Sequence, residues 1–260
     1  MITSLENQQI KDARKLQRRR QRERSGLLLI EGVRLVRDAV QGGASIQKVF
    51  YAPTLVADNQ AAHDLIAHCA AAGLLTLACT DDVFATLSET VISQGVAAVA
   101  SVPNLPLLSP LQFSLILDQV RDPGNAGTLV RTAEAVGIDA VIFGPDTVDP
   151  FNDKVVRAGM GAHFRVPIRS CATWAEINPL LNPSQERYLA QADASQIYTE
   201  VDWCAPSALI VGGEAAGASD TAITAAHAIA IPMHGQVESL NAAIAGAVIL
   251  FEAARQRRQR

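Results

Sequence analysis

The sequence predicts an α/β protein with two domains, and three observations support this. Short apolar runs alternate with helical patterns along most of the 260 residues. A segment with three prolines and no periodicity, VPNLPLLSPLQ, interrupts the alternation at residues 102–112. Runs such as ALIVGG are apolar without alternation, as is typical of strands buried on both faces of a parallel sheet. We therefore expect a smaller domain at 1–101, a linker at 102–112 and a second domain at 113–260.

The first domain begins with a charged segment, ENQQIKDARKLQRRRQRERSG. Its pattern predicts one helix that ends at Gly26 and has a thin apolar side at Ile10, Ala13 and Leu16. The segments that follow alternate between strands and helices. In order they are LLLIEGVRLVRDAVQGG (strand, then helix), IQKVFYA (strand), NQAAHDLIAHCAAAG (helix), and then LLTLAC, DDVFATLSE and GVAAVAS.

The second domain repeats this alternation with more strands. The predicted strands are SLILD, AVIFG, RVPI, YLAQA, ALIVGG and AIAIPM. The predicted helices are a helix from Ala126, NDKVVRAGMG, TWAEINPLL and the long SLNAAIAGAVILFEAARQRR. Together they predict a parallel sheet with helices packed on it.

Composition excludes several classes of protein. Apolar stretches such as LLTLAC are too short to span a bilayer, and the charged N-terminus lacks the apolar region of a secretory signal. We therefore expect a cytoplasmic protein with no membrane partner. The four cysteines are scattered without a C-x-x-C pair, which predicts neither a disulfide framework nor a bound metal.

The net charge of −4 conceals an uneven distribution. The first 24 residues carry eight Lys/Arg against three Asp/Glu, and residues 255–260 add four arginines. Basic termini on an acidic body are typical of a protein that binds a polyanion such as RNA. The candidate RNA contacts are Lys11, Arg14, Lys15 and Arg18, although a solvated helix face would show the same pattern.

The segment DPGNAGTLVRTAEAVG at 122–137 begins a helical pattern only three residues after the apolar run SLILD. A glycine-containing turn between a strand and a helix often binds a phosphate at the helix N-terminus. Gly124 and Gly127 fit neither the dinucleotide-binding fingerprint nor the P-loop, and no lysine follows them. A phosphate-handling hydrolase or kinase is the alternative that this loop suggests. The absence of a P-loop lysine and of an acidic metal cluster from the sequence argues against it.

Two further loops follow predicted strands, IVGGEAAGAS at 210–219 and IPMHGQVESLNAAIAG at 231–246. In an open α/β sheet the ligand crevice lies outside the carboxyl ends of the strands. We therefore expect the three loops to meet at one site.

Together, the three segments resemble the three motifs of the SpoU-type (TrmH) RNA ribose 2′-O-methyltransferases in order and spacing. The resemblance covers the second domain. NQQIKDARKL and LLLIEGVRLVRDAV are similar to the L30e-like substrate-binding domain that precedes it in members acting on ribosomal RNA. The resemblance implies a SPOUT catalytic domain with a deep trefoil knot, S-adenosylmethionine as cofactor, and a homodimer. It implies methyl transfer to a ribose 2′-hydroxyl, with ribosomal RNA as the preferred substrate. Transfer RNA and a non-catalytic RNA-binding protein with a vestigial site are the alternatives.

The resemblance also implies roles for individual residues. The catalytic candidates are Asn125, Arg131, Glu214, Ser239 and Asn241. The cofactor-binding candidates are Gly212, Gly213, Glu214, Gly217, Ile231, Met233, Ser239 and Leu240. Arg131 and Arg157 are further candidate RNA contacts.

The chemistry limits what Arg131 can do. A guanidinium stays protonated and has only donors, so it is a poor base. We interpret Arg131 as a bidentate donor that binds the phosphate beside the target ribose and stabilises the developing oxyanion. Placing Arg131 in the first turn of its helix argues against a merely structural role there, because a cation at a helix N-terminus opposes the macrodipole.

Apolar and capping residues near the site have two interpretations each. Leu209, Ile210, Ile231, Met233 and Leu240 could wall a water-poor pocket or belong to the core. Ser239 is the expected N-cap of the last helix as well as a binding candidate. The helical stripe Leu240, Ile244, Val248 and Phe251 suits either a dimer interface or the core.

Overall fold

The structure is a computed structural model that describes residues 1–90, 92–214 and 217–259. The chain forms two compact units, one of residues 1–103 with 151–164 and one of residues 104–150 with 165–260. This division differs from the predicted one, because residues 151–164 belong to the first unit although they follow the linker.

The first unit is built on a four-stranded sheet. Its helices are α1 (Gln8–Lys15), α2 (Arg19–Ser25), α3 (Val33–Gln41), α4 (Gln60–Ala71) and α5 (Asp81–Ala85), and its strands are β1 (Leu27–Glu31), β2 (Ile46–Tyr51), β3 (Leu75–Ala78) and β4 (Val96–Ser101). The strand order is β1-β4-β2-β3. β4 is antiparallel to both of its neighbours, whereas β2 and β3 are parallel.

The charged N-terminal segment forms two helices rather than the single predicted one. The break falls between Lys15 and Arg19, where Arg22 Nη1 donates to the carbonyls of Leu16 and Gln17, each at 2.9 Å. The arginine side chain thus satisfies carbonyls that a continuous helix would have paired. Gly26 ends α2 in the left-handed conformation, as predicted, with its N–H bonded to Arg22 O.

Two hydrophobic clusters stabilise this unit. One contains the predicted apolar side of α1, with Ile10, Ala13 and Leu16 all buried beside Phe50 and Phe84. The second contains residues of α3, α4 and the segment 151–164, including Val36, Leu65, Val156 and Phe164. The second cluster explains why 151–164 belongs to this unit.

The second unit contains a seven-stranded sheet. Its strands are β5 (Phe113–Asp118), β6 (Ala140–Phe143), β7 (Ile168–Ser170), β8 (Glu186–Ala190), β9 (Gln196–Ile197), β10 (Ser207–Gly212) and β11 (His227–Ala230). Its helices are α6 (Pro123–Val136), α8 (Trp174–Ile177), α9 (Asp220–Ala225) and α10 (Ala242–Arg258), while α7 (Asp153–Ala158) lies in the first unit. The strand order is β7-β6-β5-β10-β8-β11-β9 and every pairing is parallel, which confirms the predicted parallel sheet.

Three details of this unit differ from the predictions. The strand predicted at RVPI begins at its last residue, Ile168, and the short β9 and α9 were not predicted. α6 begins at Pro123 instead of Ala126, because Asp122 Oδ1 accepts a hydrogen bond of 2.7 Å from Asn125 N and proline suits the first helical position. Among the described helices, none has the length and apolar character needed to cross a membrane.

Candidate active site

The candidate site lies at the carboxyl edge of the second unit's sheet. β5 and β10 are neighbours in register, with Gly212 beside Asp118, so the loops that follow them leave the sheet side by side. The loop after β11 leaves from the same edge because all the strands are parallel. The topology therefore brings the three glycine-containing or proline-containing loops to one place.

Hydrogen bonds between side chains join these three loops. Asn241 Nδ2 donates to Asn125 Oδ1 at 3.0 Å. Asn125 Nδ2 in turn donates to Glu214 Oε1. One side chain from each loop thus takes part in a single chain of hydrogen bonds, so the predicted meeting of the loops is confirmed.

Asn241 also caps the last helix. Its Oδ1 accepts hydrogen bonds from the backbone N–H groups of Ala243 at 2.9 Å and Ile244 at 3.2 Å. The prediction that Ser239 caps α10 is therefore wrong. Asn241 can fill both positions because its carbonyl oxygen caps the helix while its amide group reaches Asn125.

A cavity of about 390 Å³ opens beside this chain of hydrogen bonds. All eight predicted cofactor-binding residues line it: Gly212, Gly213, Glu214, Gly217, Ile231, Met233, Ser239 and Leu240. Leu209 and Ile210 are instead fully buried in the core and do not line the cavity. The apolar wall is supplied by residues at the ends of the strands, such as Val211 of β10 and Ile229 of β11, and by Ile231, Met233 and Leu240 after β11.

Sequence reasoning missed one wall of the cavity, residues 189–192 at the end of β8. Ile223 of α9 and Ala242 and Ala245 of α10 also line it. The rule that ligands bind at the carboxyl ends of parallel strands could have identified Gln191 and Ala192, because they end the predicted strand YLAQA.

The glycines of the second loop are required by close backbone contacts. A Cβ atom on Gly213 would lie 2.2 Å from the carbonyl oxygen of Gln119, and one on Gly212 would lie 2.7 Å from Ala218 N. Gly213 and Gly217 also exchange backbone hydrogen bonds of 2.9 and 3.0 Å. The absence of side chains at these glycines lets Gly213 and Gly217 pair with each other while Gly213 lies close to the loop after β5.

Arg131 is not brought to the cavity. It lies six residues after Asn125 on α6, which places the two side chains about 120° apart around the helix axis and about 9 Å apart along it. Arg131 is exposed and does not line the cavity, and its side chain forms no hydrogen bond or ion pair with a residue in the described ranges. Because α6 begins at Pro123, Arg131 lies beyond the first turn, and the argument from the helix macrodipole no longer applies.

The predicted RNA contacts of the first unit fall into two groups. Lys11 pairs with Glu6 and Lys15 with Asp12, and these hydrogen bonds lower the pKa of both carboxyl groups. Arg14 and Arg18 are exposed and have no ion pair with any residue that the structure describes.

Arg157 also lies in the first unit. Its Nη1 is 2.6 Å from Asp153 Oδ2, one helical turn away, and its side chain is 27% exposed. Arg157 therefore has a partner within α7, and this ion pair explains the arginine without an RNA contact.

Comparison with known proteins identifies the family. Residues 112–251 match the SpoU rRNA Methylase family, and residues 7–98 match the MRM3-like substrate binding domain. The chain belongs to the SpoU rRNA methylase family. The 23S rRNA (guanosine(2553)-2′-O)-methyltransferase RlmP of Bacillus subtilis is 32% identical, over 96% of this chain and 97% of that protein. The human mitochondrial rRNA methyltransferase 3 is 29% identical, over 92% of this chain and 70% of its own length.

Solved structures of SpoU-type proteins share the fold. The AdoMet-bound rRNA methyltransferase from Sinorhizobium meliloti has a TM-score of 0.83 and 32% identity, covering 98% of this chain and 97% of that one. The SpoU methyltransferase AviRb from Streptomyces viridochromogenes, in complex with AdoMet, has a TM-score of 0.82 and 26% identity, covering 98% and 100%. The predicted SpoU-type family and α/β fold with a parallel sheet are confirmed.

Proposed function

We propose that the chain transfers a methyl group from S-adenosylmethionine to a ribose 2′-hydroxyl of ribosomal RNA. The observation that supports this most directly is the hydrogen-bonded chain of Asn125, Glu214 and Asn241 beside the cavity. The relatives named above are rRNA methyltransferases, and two of the similar structures hold AdoMet.

The residues around the cavity fit this cofactor. A volume of about 390 Å³ is within the range of small-molecule sites. The open Cβ position of Gly217 allows a ligand to approach the backbone, while Ile231, Met233 and Leu240 supply an apolar wall. When bound, the cofactor supplies an electrophilic methyl group on a positively charged sulfur. An apolar wall favours a reaction that neutralises this charge, because the transition state, with its charge partly neutralised, needs less solvation than the charged reactants.

The chain's own residues have two roles in this proposal, which are to hold the site together and to bind the RNA. Asn125 and Asn241 keep the three loops in one arrangement, and Glu214 presents a carboxylate at the edge of the cavity. Arg131 binds an RNA phosphate and stabilises the oxyanion that develops on the 2′-oxygen, while the proton leaves to phosphate or water. Because Arg131 is exposed and does not line the cavity of its own chain, this role requires the bound RNA or a second copy of the chain to bring the guanidinium and the reacting oxygen together. Holding both partners in place contributes to the rate through effective concentration.

A homodimer is part of this proposal. Ile244, Val248 and Phe251 of α10 form a stripe that is 54%, 36% and 53% exposed, and Leu240 before the helix is 37% exposed. Continuous apolar exposure of this kind favours burial against a partner, and a second copy of the chain would present the same self-complementary stripe. The trefoil knot and the cytoplasmic location implied above stay predictions.

The test combines cofactor binding with mapping of the product. We expect calorimetry to show binding of S-adenosylmethionine, and methyl label to enter 23S rRNA transcripts at one 2′-hydroxyl. A folded protein that does not bind the cofactor would support a vestigial site. Label that enters transfer RNA but not ribosomal RNA would overturn the proposed substrate.

A further inference from the structure

A buried carboxylate lies beneath the second glycine loop and has no role in the proposed reaction. Asp118, the last residue of β5, is fully buried. Its Oδ2 accepts hydrogen bonds from Trp174 Nε1 at 2.7 Å and Ser219 Oγ at 2.9 Å, and its Oδ1 accepts one from Ser219 N at 2.9 Å. Within the described ranges no cation forms an ion pair with it. Burial of a carboxylate is unfavourable unless such donors compensate it.

These contacts place Asp118 at both ends of the glycine loop. At one end, Gly212 pairs with Asp118 in the sheet register. At the other end, Ser219 donates both its backbone N–H and its hydroxyl to the Asp118 carboxylate. Between these two points the chain carries Gly213, Glu214 and Gly217, which line the cavity.

We propose that Asp118 is a positioning residue that joins Gly212 and Ser219 and so holds Glu214 and the cavity glycines in place. Ser219 also connects Asp118 to α9, because its Oγ caps this helix by accepting a hydrogen bond of 3.2 Å from Ala222 N. Trp174 contributes the third donor from α8. Asp118 does not itself line the cavity and therefore acts through the loop.

A carboxylate suits this position better than an amide. All three neighbouring groups donate, and a carboxylate has only acceptors. In Asp118→Asn one carboxylate oxygen becomes an NH₂ group, which must face the Ser219 N–H or the Trp174 Nε1–H. Either orientation leaves buried donors facing each other.

The test is calorimetric binding of S-adenosylmethionine to the full chain, and it depends on the proposed function. We expect Asp118→Asn to weaken binding by about tenfold or more, while Trp174→Phe, which keeps both hydrogen bonds between Asp118 and Ser219, weakens it by less than about threefold. The KM for the cofactor should rise more than kcat falls. A folded Asp118→Asn protein that binds within about twofold of the wild type would overturn the proposal.

Ser219→Ala tests the same connection if Asp118→Asn does not fold. It removes one hydroxyl from the partly exposed end of the loop, and we expect weaker cofactor binding. Thr173→Ala is the matched control, because Thr173 Oγ1 caps α8 by accepting from Glu176 N at 3.3 Å, whereas the described hydrogen bonds of the Asp118 carboxylate come from Trp174 and Ser219. Equal reductions of affinity in the two variants would overturn the proposal. Failure of the wild-type protein to bind the cofactor would instead refute the proposed function.

Discussion

The two units present their candidate functional residues in different ways. In the second unit, polar residues from three separate loops are joined by hydrogen bonds at the carboxyl edge of a parallel sheet. In the first unit, the candidate residues are cations along a helix surface, and two of the four on α1 and the turn after it are paired with neighbouring carboxylates. Position in a fold therefore identifies a site more reliably than charge, because a surface cation can be neutralised locally.

The largest expected effect comes from Arg131, which the second unit does not bring to its cavity. Arg131→Ala should lower kcat for RNA methylation by about 100-fold or more, as for removal of an oxyanion-stabilising donor, and leave cofactor affinity unchanged. Arg165→Ala is the control, because Arg165 is a cation of the same unit that pairs with Glu134 at 2.9 Å. Methyl transfer that survives within about tenfold in Arg131→Ala would contradict the assigned role.

A second expected effect concerns the contact between two loops of the second unit. In Gly213→Ala the new Cβ would overlap the Gln119 carbonyl oxygen, so the loops must separate. Overpacking of this kind costs about 1–3 kcal/mol, and we expect calorimetry to show cofactor binding weakened by about tenfold. Gly235→Ala is the matched control, since no described atom beyond its two chain neighbours lies within 4 Å of its Cβ position. Similar affinities for the two variants would argue that the loop contact does not shape the cavity.

The smallest expected effect compares cations within the first unit. Removing Arg14 and Arg18 together should weaken RNA binding by a few-fold. The slope of log affinity against log salt concentration should also become shallower, by about 0.7 for each single-strand phosphate that the variant no longer neutralises. Removing Lys11 and Lys15 should have less effect, because these lysines already pair with Glu6 and Asp12. Filter binding at several salt concentrations distinguishes the pairs. A larger reduction of affinity in the lysine variant would show that the ion pairs open when RNA binds.

The convergence of the site could be predicted from sequence because it follows from strand direction. Asn125, Glu214 and Asn241 each follow a predicted strand, and parallel strands end at one edge. The capping role of Asn241 could not be separated from that of Ser239, since both residue types cap helices. In the structure Asn241 is the residue that caps α10, and the same side chain also contacts Asn125 of another loop.

Asp118 shows the limit of sequence reasoning. An aspartate at the end of a strand usually belongs to a solvated turn, and its sequence neighbours give no sign of Trp174 or Ser219 as partners. Those donors lie 56 and 101 positions away in the chain. Burial and partner choice depend on such distant segments.

The sequence by itself determined the alternation of strands and helices, the glycines at the loops and the edge of the sheet where the site lies. These features depend on side-chain periodicity and backbone freedom, which are local properties. The tertiary structure alone decided that residues 151–164 join the first unit and that Asp118 is buried among three donors. It also decided that Lys11 and Lys15 form ion pairs while Arg14 forms none with the residues the structure describes. Hydrogen bonding, ion pairing and burial are set by groups that only folding brings together.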